Sequence, residues 1–394
     1  MLKLETSVSF RGISKILSML SEYTDIDLET PKHTTIISFV KKVGIYNLEK
    51  PKERANDWVI ILDESIEFGN EKILVILGIR EKNIDFTRAL KYQDLVPLTI
   101  KISNSWKGED IKNEIELLKE EIGEIKYAVA DMGNAIKKAL RLVEISHVED
   151  ITHKISWFIK RIYEKDERFK SYTKKLAHLR GSMPLSKLAY ILPPAQRVHS
   201  RFMNLKPIVD WGNSIVQLFE SEKELKPERE KLGFVSDYKA FLNEIDQVIS
   251  IAIKIQKNVK NSSLSKKTLN KCKLLLKEIG DNKNIDTFKA QVMSYLKEML
   301  SIEIKIESSK LVCTSDIIES CFGKYKSFIN ANPSIGITDL CLTISAITCD
   351  YRQETEILNA MESVRTDKLI KWKDENIGKT LLSRRKEVIK KNRG

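Results

Sequence analysis

No Cys-x-x-Cys pair with zinc-site spacing occurs in this chain. Its five cysteines, Cys272, Cys313, Cys321, Cys341 and Cys349, are scattered through the C-terminal third. An odd number of dispersed thiols argues against a disulfide framework and for reduced, packed cysteines in a cytosolic compartment. No apolar stretch reaches the roughly 20 residues a spanning helix needs. The N-terminus lacks the charged-then-apolar layout of a signal peptide, so the expectation is a soluble intracellular protein. No internal repeat stands out. Low complexity is confined to the tail, where Arg384, Arg385, Lys386, Lys390, Lys391 and Arg393 meet one acid, Glu387. That tail reads as a phosphate-gripping arm or as a frayed end.

What is present is length and positive charge. At 394 residues the chain has room for two or three domains with a real core, and 67 Lys+Arg against 55 Asp+Glu leave a net charge of +12. The balance suits a polyanionic partner and equally suits a solvated lysine surface, so it supports nucleic-acid binding without founding it.

Residues 10–43 read as two helices, the first with Ile13, Ile16, Leu17 and Leu20 on one face, the second bearing Ile36, Ile37, Val40 and Val43. Before the second stands Thr30-Pro31-Lys32-His33-Thr34-Thr35. This puts a capping hydroxyl and the groove-reading candidates Lys32, His33, Thr34 and Thr35 at a helix start, as in a helix-turn-helix; an ordinary two-helix cap on the next domain is the alternative. From Asp57 the pattern turns to strands: an apolar run Trp58 to Leu62, a turn at 68–71, a second strand at 73–79 and a third within 95–103. An amphipathic helix follows with Ile111, Ile115, Leu118 and Ile122 in register, then a strand ending at Ala130, a helix at 135–142 and a strand near 144–148. Residues 151–310 read as helical and basic, broken by prolines 184, 193, 194, 207 and 227. One apolar stripe there holds Phe241, Ile245, Val248, Ile249, Ala252 and Ile255, and another Leu274, Leu275 and Ile279.

Two of the strands deliver an acid at the C-terminal end. The run Trp58 to Leu62 ends in Asp63 and Glu64, and Ile125 to Ala130 runs into Asp131. Open α/β sheets build sites outside such strand ends, and two acids so placed suggest one shared site. After the helical stretch, a segment from Thr314 to Lys326 reads as a helix on which Glu319, Gly323 and Lys326 share a stripe. The glycine between acid and lysine lets a backbone approach. His147, Asp150 and His153 are too poorly spaced for a zinc site. Trp157 and Trp211 read as core residues, with stacking on an unpaired base as the alternative.

Asp63, Asp131 and Glu319, in that order and those contexts, resemble the DDE triad of cut-and-paste transposases of bacterial insertion sequences, which share the RNase H-like fold of retroviral integrases. Asp150-Ile151-Thr152-His153 resembles the C/D-x-x-H signature that insertion-bearing members carry after the second aspartate. The resemblance implies an α/β fold: an RNase H-like mixed five-stranded sheet core with a large all-α insertion and an N-terminal helix-turn-helix. The corresponding domains are 1–50 (DNA-binding), 57–154 with 311–350 (catalytic core), 155–310 (insertion) and 351–394 (basic helical tail). It implies an enzyme that cleaves transposon ends and transfers strands into target DNA. Mg²⁺ (or Mn²⁺) would be held by Asp63, Asp131 and Glu319, with Glu303 and Asp316 as rivals for the third acid. Asp150 and His153 would orient the site or a phosphate, and Lys324 and Lys326 would contact DNA. The partners implied are double-stranded terminal repeats and target DNA, bound by a dimer or higher oligomer, with no membrane and a bacterial or archaeal, nucleoid-associated location. A catalytically inactive DNA-binding derivative and an RNase H-like nuclease or resolvase are the competing readings.

Overall fold

The computed structural model describes residues 1–394 except Leu28, 67–70, 197–200, 223–225, 330–336, 351–353, 379–380 and 392–394. The chain divides into a sheet unit (1–85, 90–148 and 314–394) and a helical unit (86–89 and 149–313).

The sheet unit is built on five strands, β1 (Ala55–Ile66), β2 (Lys72–Arg80), β3 (Val96–Ser103), β4 (Gly123–Ala130) and β5 (Ser146–Glu149, whose last residue falls in the helical unit), in the order β3-β2-β1-β4-β5. β1 to β3 pair antiparallel and β4 runs parallel to β1. This is the mixed five-stranded α/β sheet expected from the sequence. β1 is central because it is apolar on both faces: Trp58 to Leu62 are all at 2% exposure or less. Its even-numbered residues Trp58, Ile60 and Leu62 pack with Leu74, Ile76, Ala128 and Ala130 beneath α4 (Gly108–Ile122) and α5 (Asn134–Leu142). Ile111, Ile115, Leu118 and Ile122 are the buried stripe of α4. The turn from α4 into β4 is made by Gly123 at φ +92°, where a Cβ would also run into the Ala55 carbonyl.

Residues 1–50, read from the sequence as a separate DNA-binding domain, belong by their contacts to the sheet unit. They form α1 (Leu2–Glu5), α2 (Phe10–Tyr23) and α3 (His33–Glu49). α3 is buried along Ile36, Val40, Val43, Gly44 and Ile45, and it packs on β3, α14 (Thr343–Ile347) and α15 (Glu354–Ser363). Its N-cap is Lys32, with no side-chain capping bond, rather than a threonine hydroxyl. α2 differs further from the sequence reading: of its apolar stripe only Ile13 is buried. The unit is completed by α13 (Asp316–Ile329), α16 (Thr366–Asn376) and α17 (Leu381–Lys391), with Arg384, Arg385 and Lys386 exposed.

The helical unit holds α6 (Ile151–Tyr163), α7 (Glu167–Ser182), α8 (Lys206–Ser221), α9 (Lys226–Leu232), α10 (Lys239–Ser262), α11 (Lys266–Leu276) and α12 (Lys283–Lys305). Pro207 stands in the first turn of α8, where its missing N–H leaves nothing unsatisfied. The stripe from Phe241 to Ile255 is buried on α10. The second stripe is set differently: Leu274 is 65% exposed, and α11 buries Thr268, Cys272 and Leu276 instead. The two ends of its 149–313 segment lie side by side, because the Ile151 N–H donates to the Cys313 carbonyl at 2.9 Å. All five cysteines are reduced and buried.

Candidate active site

Ile61 on β1 is the register partner of Val129 on β4. Asp63 and Asp131 each stand two residues further along these parallel neighbours, Asp131 being the first residue past β4. Adjacent strands lie about 4.8 Å apart, so the two residues stand on neighbouring strands where β4 ends, while β1 continues past Asp63 to Ile66 against β2. Alternation sets their direction. Leu62 and Ala130 face α4 and α5, so Asp63 and Asp131 face the opposite side.

Both carboxylates are held by local amides. Asp63 Oδ1 accepts from the Glu64 N–H at 2.8 Å, and Asp131 Oδ1 accepts from the Gly133 N–H at 2.8 Å, just before α5 begins. Such local bonds fix a carboxylate's orientation while keeping it half-exposed.

α13 lies on the same side of β1. The Lys326 ammonium donates to the Ser65 hydroxyl at 2.9 Å, and Ser65 is two residues beyond Asp63 on the same face. Glu319 sits two turns earlier on the stripe of Lys326 and is half-buried. Among the described residues, no three His, Cys, Asp or Glu side chains gather into a group that could hold a metal ion. The structure therefore brings Asp63 and Asp131 together by register and does not close Glu319 onto them. Two hard oxygen donors fit Mg²⁺ or Mn²⁺, and the third position of the donor set is not formed.

The remaining predicted residues have specific places. Lys324 lies over the Tyr92 ring at 4.2 Å, with its ammonium 3.4 Å from the Leu4 carbonyl, and Lys326 is engaged by Ser65. Both lysines thus make contacts within the chain. A Cβ at Gly323 would meet nothing within 4 Å among the described residues, so none of them uses that glycine for close approach. Of the groove-reading candidates, Lys32, Thr34 and Thr35 are exposed and His33 is half-buried. Asp316 lies at the start of α13, whereas Glu303 is buried in α12 of the helical unit, where burial raises its pKa.

Asp150 and His153 belong to the helical unit, and the contact between them runs through the backbone: Asp150 is the N-cap of α6 and accepts from the His153 N–H at 2.7 Å. Trp157, expected in the core, is 37% exposed, with the Arg161 guanidinium 4.7 Å from its ring centroid. Trp211 donates its indole N–H to the Ile191 carbonyl at 3.1 Å. Sequence reasoning missed a cavity of about 740 Å³ in this unit, lined by His153, Trp157, Lys160, Lys174 and Arg201 among others. Its walls come from α6, α7, Gln196 and residues 201–203, so no local spacing announces it.

No protein-family model and no curated protein matches this chain. Among solved structures it is similar to a chain of the "Drosophila P element transposase strand transfer complex", at 12% identity and a TM-score of 0.39 over 83% of this chain and 86% of that one. A likeness of that order carries no inference about what this chain does.

Proposed function

We propose that the chain is a metal-dependent DNA transposase that cleaves at the ends of a mobile element and joins them to target DNA. The observation that carries this reading is the register of Asp63 and Asp131 on adjacent parallel strands, facing the side on which α13 packs. The strand order β3-β2-β1-β4-β5 is the one an RNase H-like core requires, in keeping with the resemblance drawn from the sequence.

On this reading Asp63 and Asp131 hold a divalent cation, Mg²⁺ or Mn²⁺, and Glu319 completes its donor set. Such ions, when bound, stabilise charge on the entering and leaving oxygens of an in-line phosphodiester displacement. The chain's own part is orientation. The Glu64 and Gly133 amides fix the two aspartates, and Lys326 on Ser65 holds α13 against the end of β1. Lys32, Thr34 and Thr35, exposed at the start of α3, supply a helix N-terminus to phosphate or to a groove of double-stranded DNA.

A second reading, a DNA-binding protein that does not cut, is favoured by one observation: Glu319 is not gathered with the two aspartates. Cleavage of labelled duplex bearing any inverted repeats found in the DNA that flanks the coding region, with Mg²⁺, separates the two. The transposase reading expects wild type to cut, and Asp63→Asn and Asp131→Asn to retain the DNA in a gel shift without cutting. Retention without cutting by wild type selects the second reading, and preference for branched DNA over the repeats selects a resolvase-like nuclease.

A further inference from the structure

The two aspartates differ in what holds their main chain. Asp63 lies inside β1, in register with Val75 of β2, and the pairing of the two strands runs on past it to Ile66. The ladder itself therefore fixes Asp63. Asp131 stands one residue beyond β4, and the last pair of β4 with β1 is Val129 with Ile61. The peptide unit joining Ala130 to Asp131 thus lies past the end of that ladder. Ala130 is nevertheless fully buried, at 0% exposure, and a buried carbonyl has to find a donor.

A side chain from the neighbouring strand supplies one. His147, half-buried on β5, places Nε2 3.4 Å from the Ala130 carbonyl oxygen. A carbonyl only accepts, so Nε2 carries the proton. The bond is long, but the oxygen it reaches belongs to the peptide unit that ends in the Asp131 nitrogen. That unit is planar, so a donor on its oxygen sets the plane and with it the direction in which Asp131 leaves β4. At its other end the residue is tied by the Gly133 N–H, which donates to Asp131 Oδ1 at 2.8 Å. His147 settles where Asp131 starts, and Gly133 settles where its carboxylate ends. No spacing in the sequence shows this, because the whole of α5 separates the histidine from the aspartate.

We propose that His147 is a positioning residue for the cation site: by donating to the Ala130 carbonyl it holds Asp131, at the end of β4, in the orientation that lets it share a divalent ion with Asp63. It acts through the backbone and not by ligation. Asp63, carried by the ladder, needs no such support. The proposal rests on the reading of the two aspartates as a cation site, but its first readout requires no ion.

The test compares wild type with His147→Ala and His147→Gln, the last of which keeps an amide donor in place of Nε2. Amide hydrogen exchange followed by nuclear magnetic resonance is read at Gly133, whose N–H is bonded to Asp131, and at Glu64, whose N–H is bonded to Asp63. His147→Ala speeds exchange at Gly133 severalfold and leaves Glu64 as it was, and His147→Gln returns Gly133 towards the wild-type rate. Mn²⁺ affinity follows the same order, roughly tenfold weaker in His147→Ala and largely recovered in His147→Gln. A general loss of packing would move Gly133 and Glu64 together. Exchange at Gly133 unchanged in His147→Ala, an equal change at Glu64, or a His147→Gln variant as impaired as His147→Ala would each overturn the proposal. If wild type takes up no Mn²⁺, the cation-site reading fails, and exchange at Gly133 still decides whether His147 holds Asp131.

Discussion

Lys52 shows how a single side chain records its surroundings. Its ammonium closes the C-terminal end of α3 by donating to the carbonyls of Asn47, Leu48 and Lys50 at 2.9, 3.0 and 2.6 Å. Burial pushes its pKa down to about 8 from 10.5, against the opposing pull of Glu121 and Glu49. Above about pH 8 the folded chain releases this proton while the unfolded chain keeps it until about 10.5. The unfolded state then binds more protons, and stability rises with pH through that window. Urea titrations between pH 8 and 10.5 should show this slope in wild type and a flatter one in Lys52→Met. Gly44 is equally constrained, because a Cβ there would strike the Leu342 carbonyl, which is backbone and cannot swing away. Gly44→Ala should cost roughly 1–3 kcal/mol in a urea melt. Neither role is legible in the sequence. Lysine and glycine are read there as surface and turn, and the partners of Gly44 lie some three hundred residues away.

Individual elements were readable where one face is buried and the other wet. α4 shows this, since Ile111, Ile115, Leu118 and Ile122 recur at helical spacing and all four are covered. α11 resisted because its covered positions, Thr268, Cys272 and Leu276, include a hydroxyl, while Leu274 points outward. Periodicity weighs residue type and cannot see that Thr268 donates to the Ser263 carbonyl inside the protein. α2 fails in the opposite sense: its stripe is real, but periodicity does not reveal whether anything lies against it. The Asp150-x-x-His153 motif is a case of two meanings for one pattern, since an acid three residues before an amide is also an N-cap. Asp150→Ala should cost about 1 kcal/mol by denaturation, and Asp150→Ser, which keeps a capping oxygen, should recover most of it. Equal loss in both variants would show that the carboxylate is needed for something besides the cap.

At the scale of the whole molecule, a helical unit is spliced into the chain of a sheet unit, entering at Glu149 and leaving at Cys313. Each has its own apolar core, so damage to one should stay local on the timescale of hydrogen exchange. Phe288→Ala, at a fully buried position of α12, should cost about 3–5 kcal/mol and speed exchange across 149–313 while leaving β1 and β4 protected. Faster exchange throughout both units would show that they open together. The two aspartates were legible because each ends an apolar run, although only Asp131 ends a strand, since β1 continues past Asp63 to Ile66. Their register was not, since it depends on which strands become neighbours and on the irregular pairing between Ala55 and Val59. The account rests on that register. Its most direct test is a Mn²⁺ titration followed by electron paramagnetic resonance on wild type, Asp63→Asn and Asp131→Asn. The account predicts one site in wild type that either substitution weakens at least roughly tenfold; Mn²⁺ binding undiminished in both variants would contradict it.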